Sequence, residues 1–233
     1  MSILRAGVEI IMKKVGMISV TLNAVNPMIK LFTEKKNSGI PFTVSNYLDE
    51  GLQELVSQEG EVTDKSIGRM IRLIETAIQD GAEIILLTCT VFSPFVDRFN
   101  ELFSVPIISV DGAMLEKAAA MNRSTAILCT FPVTVKSSEQ IFKIAAQKLG
   151  VDPKAEIFLL EDAARINKAG NKEEHDRIIA REAEKMSLKY DLIVLAQISM
   201  AGAKLYIKDC SKPVLTSPEC AMEALEAQAV RMK

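Results

Sequence analysis

GAEIILLTCTVFSPF (residues 81–95) and KYDLIVLAQISMAGA (residues 189–203) share one pattern, an apolar strand followed by a polar turn and a helix start. Each leads to a second strand opened by proline, in SVPIISVDGAMLEKA (residues 104–118) and SKPVLTSPECAMEAL (residues 211–225). The first strands align at an offset of 108 residues, with Ala82 on Tyr190, and the second at 107, with Pro106 on Pro213. We interpret the match as an internal duplication that produces two similar lobes.

The strand-like segments are apolar along most of their length instead of alternating. They are residues 15–20, 83–88, 106–110, 125–130, 156–161, 191–196 and 213–217. Such runs are typical of parallel strands covered by helices on both faces. We therefore predict an α/β fold of two pseudo-symmetric lobes, each an open, mostly parallel sheet flanked by helices. In such sheets ligands bind at the carboxyl ends of the strands, so the site is expected in the cleft between the lobes.

Capping signals mark the helices between these strands. Apolar residues recur on one helical face over residues 63–80, and Gly81 follows as a stop. Two pairs have capping-box spacing and are expected to open helices, namely Asn171 with Glu174 and Ser137 with Gln140. Residues 23–46 and 161–171 are interpreted as loops.

The domain organisation follows from the repeat. Residues 1–12 are expected to form an N-terminal extension, because a second start-like stretch begins at Met12. Residues 13–112 with 215–233 are expected to form the first lobe, and residues 113–214 the second.

Composition excludes several classes of function. The chain has 28 basic and 30 acidic residues, and its net charge of −2 provides no general attraction to nucleic acid or anionic membranes. Apolar runs fall far short of the roughly 20 residues that span a bilayer. Neither GxGxxG nor a P-loop motif occurs. The four cysteines form no CxxC pair, so zinc-ribbon and thioredoxin-like chemistry have no support. All four lie in or beside apolar segments, as expected for thiols in a reducing cytoplasm.

The single histidine, His175, excludes a histidine-rich metal site, so no metal is expected. His175 lies in NKEEHDRIIAREAEK (residues 171–185), a strongly charged amphipathic helix. Its neighbours Glu174 and Asp176 favour an exposed surface imidazole over a general base.

Cys89 is the main candidate for a reactive group. It follows a buried strand and precedes Ser93-Pro94, a capping residue with proline at the first helical position. The N–H groups of a helix amino terminus favour a thiolate. The alternative is a small buried residue at a strand end.

Four stretches of the sequence resemble the aspartate/glutamate/hydantoin racemase superfamily. They are VGMISVTLNAVNP (residues 15–27), ILLTCT (residues 85–90), LCTFPVTVKSS (residues 128–138) and LIVLAQISMAG (residues 192–202). The resemblance covers nearly the whole chain after Met12. It implies two α/β lobes around a cofactor-free site, proton transfer at the carbon next to a carboxylate, and a homodimer. The C-terminal segment would complete the first lobe.

The resemblance assigns one cysteine to each face of the reacting carbon. Cys89 matches the first family cysteine, whereas the second position, GCAGMAG in hydantoin racemases, reads AQISMAG here and falls on Gln197. An amide has no proton to exchange near neutral pH, which makes two-thiol racemisation doubtful.

Polar residues at strand ends are candidates for holding the substrate carboxylate and the enediolate that proton abstraction creates. They are Thr21, Asn23, Thr90, Thr130 and Thr134. Gln197 is a further candidate for a hydrogen bond to substrate, as is Ser199, for which capping of the next helix is the favoured role. Asp49 could meet an amino or amide group, although a solvated loop charge is the commoner explanation. Turn and cap roles are the alternative for the whole set.

Three functions remain open. The first is an isomerase or racemase of a small carboxylate with Cys89 as one base. The second is a one-thiol decarboxylase or lyase of the same superfamily. In decarboxylases of the arylmalonate type, the single cysteine occupies the position in the other lobe. The third is a small-carboxylate-binding protein without catalysis.

Overall fold

The computed structural model describes residues 2–5, 8–37 and 42–232 and comprises two compact units. The first consists of Met1–Ser109 with Met222–Lys233, and the second of Val110–Ala221. These boundaries differ by a few residues from those expected from the sequence. Val214–Thr216 pair with Ile193–Leu195, and the second unit extends to Ala221.

The first unit alternates strands with helices. Its strands are β1 (Ser2–Arg5), β2 (Val8–Ile11), β3 (Lys13–Ser19), β4 (Phe42–Leu48), β5 (Ile84–Leu87) and β6 (Ile107–Ser109). Its helices are α1 (Leu22–Asn37), α2 (Glu50–Glu59), α3 (Asp64–Gln79), the 3₁₀ helix Thr90–Phe95 and α4 (Val96–Leu102).

The main sheet of this unit has four parallel strands in the order β4-β3-β5-β6. All four residues of β5 are buried, as their continuous apolar run predicts. Helix α3 packs closely across the sheet at Gly16, where a Cβ atom would lie 2.9 Å from the Cβ of Ala77. β1 and β2 form a separate antiparallel pair over the expected N-terminal extension, of which residues 1, 6 and 7 lie outside the described chain.

The second unit repeats this plan. Its strands are β7 (Thr125–Cys129), β8 (Ala155–Leu159), β9 (Leu192–Leu195) and β10 (Val214–Thr216). Its helices are α5 (Val110–Met121), α6 (Pro132–Leu149), α7 (Glu161–Lys168), α8 (Lys172–Ser187), the 3₁₀ helix Ile198–Tyr206 and α9 (Ser217–Arg231), which continues into the first unit. The four strands are parallel in the order β10-β9-β7-β8, the same topology as in the first unit.

The duplication is longer than the sequence alone indicates. α3 and α8, β5 and β9, and the two 3₁₀ helices each begin 108 residues apart, while β6 and β10 begin 107 apart. The sheet order makes β3 and β4 the counterparts of β7 and β8, although their sequences show no obvious match.

Several expectations about loops and helix starts were wrong. The expected loop at residues 23–46 contains most of α1 and the edge strand β4, with residues 38–41 outside the described chain. The expected loop at residues 161–171 contains α7. α6 begins at Pro132, so Ser137 lies inside the helix, where its hydroxyl donates to the Val133 carbonyl. By contrast, Asn171 caps α8 as predicted, and α3 begins directly after its N-cap residue Thr63.

Candidate active site

Cys89 lies just past the carboxyl end of β5. It is the N-cap residue of the 3₁₀ helix Thr90–Phe95 and is 6 % exposed. The expected helix start at Ser93-Pro94 was wrong, because both residues lie inside the 3₁₀ helix and the Ser93 hydroxyl donates to the Cys89 carbonyl at 3.3 Å. Cys89 therefore immediately precedes a helical turn, although its side chain makes no capping hydrogen bond to that turn.

A hydrogen-bonded network of polar groups, partly buried, borders this strand end. The Thr88 hydroxyl lies 2.9 Å from the Ser19 hydroxyl, which donates to Asn46 Oδ1 at 3.3 Å. Ser19 and Thr88 are both buried at the ends of the adjacent central strands. None of these three residues was among the predicted site residues, although Ser19 and Thr88 are polar residues that close apolar strands.

The other candidates of the first unit lie along the same edge of the sheet. Thr21 and Thr90 are half-buried, and Asn23, in the first turn of α1, is exposed. Thr90 opens the 3₁₀ helix directly after Cys89.

Asp49 is neither a loop charge nor an available partner for substrate. Its carboxylate accepts from Arg69 Nε and from an Arg69 terminal nitrogen, both at 2.6 Å. It also caps α2 by accepting from the Leu52 backbone N–H. Both oxygens are therefore engaged within the protein, and Arg69 is a residue that sequence reasoning missed.

Gln197 occupies in the second unit the position that Cys89 has in the first. It follows β9, is the N-cap residue of the 3₁₀ helix Ile198–Tyr206, and is 8 % exposed. Its Oε1 accepts from the backbone N–H of Thr130 at 2.7 Å and from the Thr130 hydroxyl at 2.8 Å. Because a backbone N–H can only donate, these bonds fix which end of the amide is oxygen. Nε2 has no hydrogen-bond partner within the described residues and is available as a donor.

Thr130, Thr134 and Ser199 lie along the carboxyl edge of the second sheet. Thr134 is buried in the first turn of α6, where its N–H donates to the Phe131 carbonyl at 3.0 Å. Ser199 is the second residue of the 3₁₀ helix and does not cap it, since Gln197 holds that position. The structure thus joins Thr130 to Gln197 directly and places Thr134 and Ser199 along the same edge.

His175 is fully buried, so the expectation of an exposed imidazole was wrong. It lies on the face of α8 that also buries Ile179 and Ala183, a spacing of four residues that the sequence already contained. Its Nδ1 lies 2.9 Å from Asp176 Oδ1, and Lys172 forms an ion pair with the same carboxylate. Asp176 is therefore buried beside the ring, whereas Glu173 and Arg177 of the same helix remain exposed.

The remaining cysteines belong to the packing. Cys129 and Cys220 lie in the core of the second unit, and Cys210 is half-buried. None of the four cysteines, all of which lie among the described residues, forms a disulfide. Within residues 2–5, 8–37 and 42–232, no cluster of three or more acidic, cysteine or histidine side chains is arranged to hold a metal ion.

The Cys129 thiol makes a testable contribution to stability at alkaline pH. Burial raises the pKa of Cys129 to about 12, and the nearby charge of Asp111 adds to this. An unfolded thiol ionises near pH 8.5, so the stabilisation is complete below that pH and is lost as the pH rises toward 12. We expect the free energy of unfolding of the native chain to fall more steeply than that of Cys129→Ala above about pH 9, by about 1.4 kcal/mol per pH unit. Urea titrations at pH 7 to 11 measure the difference, and parallel curves would contradict the prediction.

The repeated fold and the polar strand ends define a class, an α/β protein with one thiol and one amide at equivalent positions. A family model described as Asp/Glu/Hydantoin racemase matches residues 15–225. The chain belongs to this family, which makes it a racemase-like isomerase and confirms the resemblance of its sequence. Members of the family act on small carboxylates.

Solved structures show the same fold. An aspartate racemase homologue from Pyrococcus horikoshii OT3 has a TM-score of 0.70 at 20 % identity, over 94 % of this chain and 100 % of that one. Glutamate racemase from Aquifex pyrophilus has a TM-score of 0.59 at 18 % identity, over 93 % of this chain and 84 % of that one. A mutant maleate cis-trans isomerase from Nocardia farcinica with a covalently bound succinylcysteine intermediate has a TM-score of 0.60 at 14 % identity, over 94 % of this chain and 93 % of that one.

These likenesses confirm the predicted fold class. No protein with a curated description matches the sequence. No helix in the described chain is long and apolar enough to cross a membrane.

Proposed function

We propose that this chain is a cofactor-independent isomerase that moves a proton at the carbon next to a carboxylate, with Cys89 as the acid–base group. The single observation that carries the proposal is the place of Cys89 as the nearly buried N-cap residue that follows β5. The N–H groups of the following turn favour the thiolate, which is the form that removes a proton. The family membership supplies the class of reaction.

The proposed chemistry begins with the Cys89 thiolate. It takes a proton from the carbon, the C–H bond breaks, an S–H bond forms, and the electron pair passes into the carboxylate as an enediolate. Fixed hydrogen-bond donors stabilise the charge that develops. We propose that Thr21, Asn23, Thr90, Thr130, Thr134, Gln197 and Ser199 supply donors for substrate, and the free Nε2 of Gln197 gives the strongest support for any of them.

Gln197 favours a second candidate function. A two-thiol racemase needs an acid on the opposite face, and an amide cannot serve as one near neutral pH. A one-thiol decarboxylase or lyase needs only Cys89, and proton exchange would then proceed without inversion. Ligand binding without turnover is the third candidate.

Replacing Cys89 tests the proposal. In deuterium oxide with a panel of amino acids, hydantoins and malonates, NMR follows exchange of the carbon-bound proton or loss of carbon dioxide. We expect Cys89→Ala and Cys89→Ser to reduce turnover by at least about 10²-fold, because a positioned acid–base group contributes that much.

Cys210→Ser is the matched control, since it removes a half-buried thiol elsewhere in the chain and is expected to leave turnover unchanged. Full activity in Cys89→Ala would remove this thiol from the mechanism. Thermal stabilisation by a ligand that is not turned over would support the binding function.

We also propose a cytoplasmic homodimer. Cysteines without disulfides among the described residues suit a reducing compartment, and the dimer is what the family resemblance implies.

A further inference from the structure

The second unit contains a cavity of about 330 Å³ between α6 and the edge strand β8. Phe142 of α6, Pro153 before β8, and Ala155 and Ile157 of β8 contribute apolar walls. Glu139 and Lys143, one turn apart on α6, also line it. Its volume is at the small end of the range of about 300–1,000 Å³ for small-molecule sites.

The duplication explains why the cavity is there. Val15 pairs with Val44 in the first sheet, and Thr125 pairs with Ala155 in the second. Val15 pairs with Ile84, the first residue of β5, and Thr125 pairs with Leu192, the first residue of β9, so Val15 and Thr125 are counterparts. Their partners Val44 and Ala155 are therefore counterparts too, as are Phe42 and Pro153 two residues earlier.

The first unit fills the equivalent space with aromatic rings. Phe32 of α1 packs edge to face on Phe42, with ring centroids 6.2 Å apart. Phe142 is the counterpart of Phe32, but it faces Pro153 and Ala155, which are smaller than Phe42 and Val44. The cavity therefore results from side chains that differ between two copies of one fold.

The polar groups of the cavity indicate the chemistry of its occupant. Lys143 and Glu139 form an ion pair of 2.6 Å, and both side chains are about half exposed. A carboxylate can pair with the ammonium of Lys143 while an ammonium pairs with the carboxylate of Glu139. A zwitterion with an apolar tail matches this combination of a charged pair and apolar walls.

We propose that this cavity binds a free α-amino acid with a branched or aromatic apolar side chain. The tail occupies the space between Phe142 and Ala155, and the charged groups meet Glu139 and Lys143. This site involves neither Cys89 nor Gln197, and the inference does not depend on the proposed function.

Titration of the full chain carrying Cys89→Ala tests the inference without turnover. L-Phenylalanine and L-leucine are the zwitterionic probes, and phenethylamine, 3-phenylpropionate and toluene lack one or both charges. Methyl NMR of Ile127 and Ile157, which both line the cavity, locates the binding. We expect both zwitterions to shift these signals and to bind at least about tenfold more tightly than the other probes, a difference of about 1.4 kcal/mol.

Four variants complete the experiment. Ala155→Leu fills the cavity and is expected to weaken phenylalanine binding at least tenfold, and Pro153→Phe, which installs the residue of the first unit, provides a second filling variant. Lys143→Gln is expected to weaken phenylalanine binding severalfold. Lys136→Gln, an exposed lysine of α6 that does not line the cavity, is the matched control and is expected to change nothing.

Absence of shifts at Ile127 and Ile157 with every probe would overturn the proposal. So would equal binding of toluene, or unchanged binding in both filling variants. If the filling variants instead convert a dimer into a monomer in sedimentation experiments, a second copy of the chain occupies the cavity and the proposal is wrong.

Discussion

Replacing Gln197 by cysteine is expected to give the enzyme a second acid–base thiol and to allow inversion at the reacting carbon. The two positions are counterparts, since Cys89 and Gln197 are each the N-cap residue of a 3₁₀ helix, the first after β5 and the second after β9. Both residues are nearly buried. A thiol at residue 197 would lie beside the same kind of helical turn that favours the thiolate of Cys89. We expect inversion to rise by about 10²-fold or more above its level in the native chain, the contribution typical of a positioned acid–base group.

The measurement follows optical rotation and deuterium incorporation together on a substrate identified by the exchange experiment. Gln197→Ser is the matched control, because it also removes the acceptor of the two Thr130 hydrogen bonds but introduces no thiol. Loss of that acceptor leaves buried donors unpaired and is expected to cost about 1–3 kcal/mol of stability in both variants.

Inversion that appears in Gln197→Cys and is absent from Gln197→Ser would support the assignment of residue 197 as the counterpart of Cys89. A folded Gln197→Cys variant that exchanges protons but still does not invert its substrate would contradict it. The double variant Cys89→Ala with Gln197→Cys should again lack inversion, since one thiol remains.

Replacing Phe92 by alanine is expected to lower the free energy of unfolding by about 3–5 kcal/mol. Phe92 is the third residue of the 3₁₀ helix that Cys89 caps, and its ring is fully buried in the core of the first unit. Removal of the ring leaves a cavity under that helix, so Cys89 should also react faster with thiol reagents. Urea unfolding and thiol titration measure the two effects.

Leu102→Ala is the control for Phe92→Ala. Leu102 ends α4 nearby in the sequence and is 59 % exposed, so its truncation is expected to change stability by no more than about 0.5 kcal/mol. An equal decrease in the free energy of unfolding in the two variants would mean that Phe92 does not hold the 3₁₀ helix against the core.

The parts of the fold that could be predicted are those with strong local signals. Continuous apolar runs located the central strands such as β5 and β9, because burial on both faces leaves few polar residues. β4 was missed because it is an edge strand in which only Phe42 is buried, and its polar positions in FTVSNYL look like a loop. The start of α6 was predicted at Ser137 instead of Pro132, because Phe131 precedes the helix as an N-cap without a side-chain capping bond.

In the candidate site, too, the local features could be predicted from the sequence and the long-range contacts could not. The positions of Cys89 and Gln197 followed from the repeated strand and turn, which are local features of the chain. The bond from Thr130 to Gln197 joins residues 67 apart in sequence, and the pair of Asp49 with Arg69 joins residues 20 apart. No local pattern records such contacts, because they depend on which strands become neighbours.

By itself, the sequence determined that two related α/β halves exist and that a thiol in one is matched by an amide in the other, since both follow from residue identity and spacing. Only the tertiary structure decided that Gln197 presents its oxygen to Thr130 and leaves its nitrogen free, that His175 is buried, and that a cavity lies beside Ala155. The physical reason is that hydrogen-bond direction, burial and unfilled volume are properties of neighbours in space, and strand pairing brings those neighbours from distant parts of the chain.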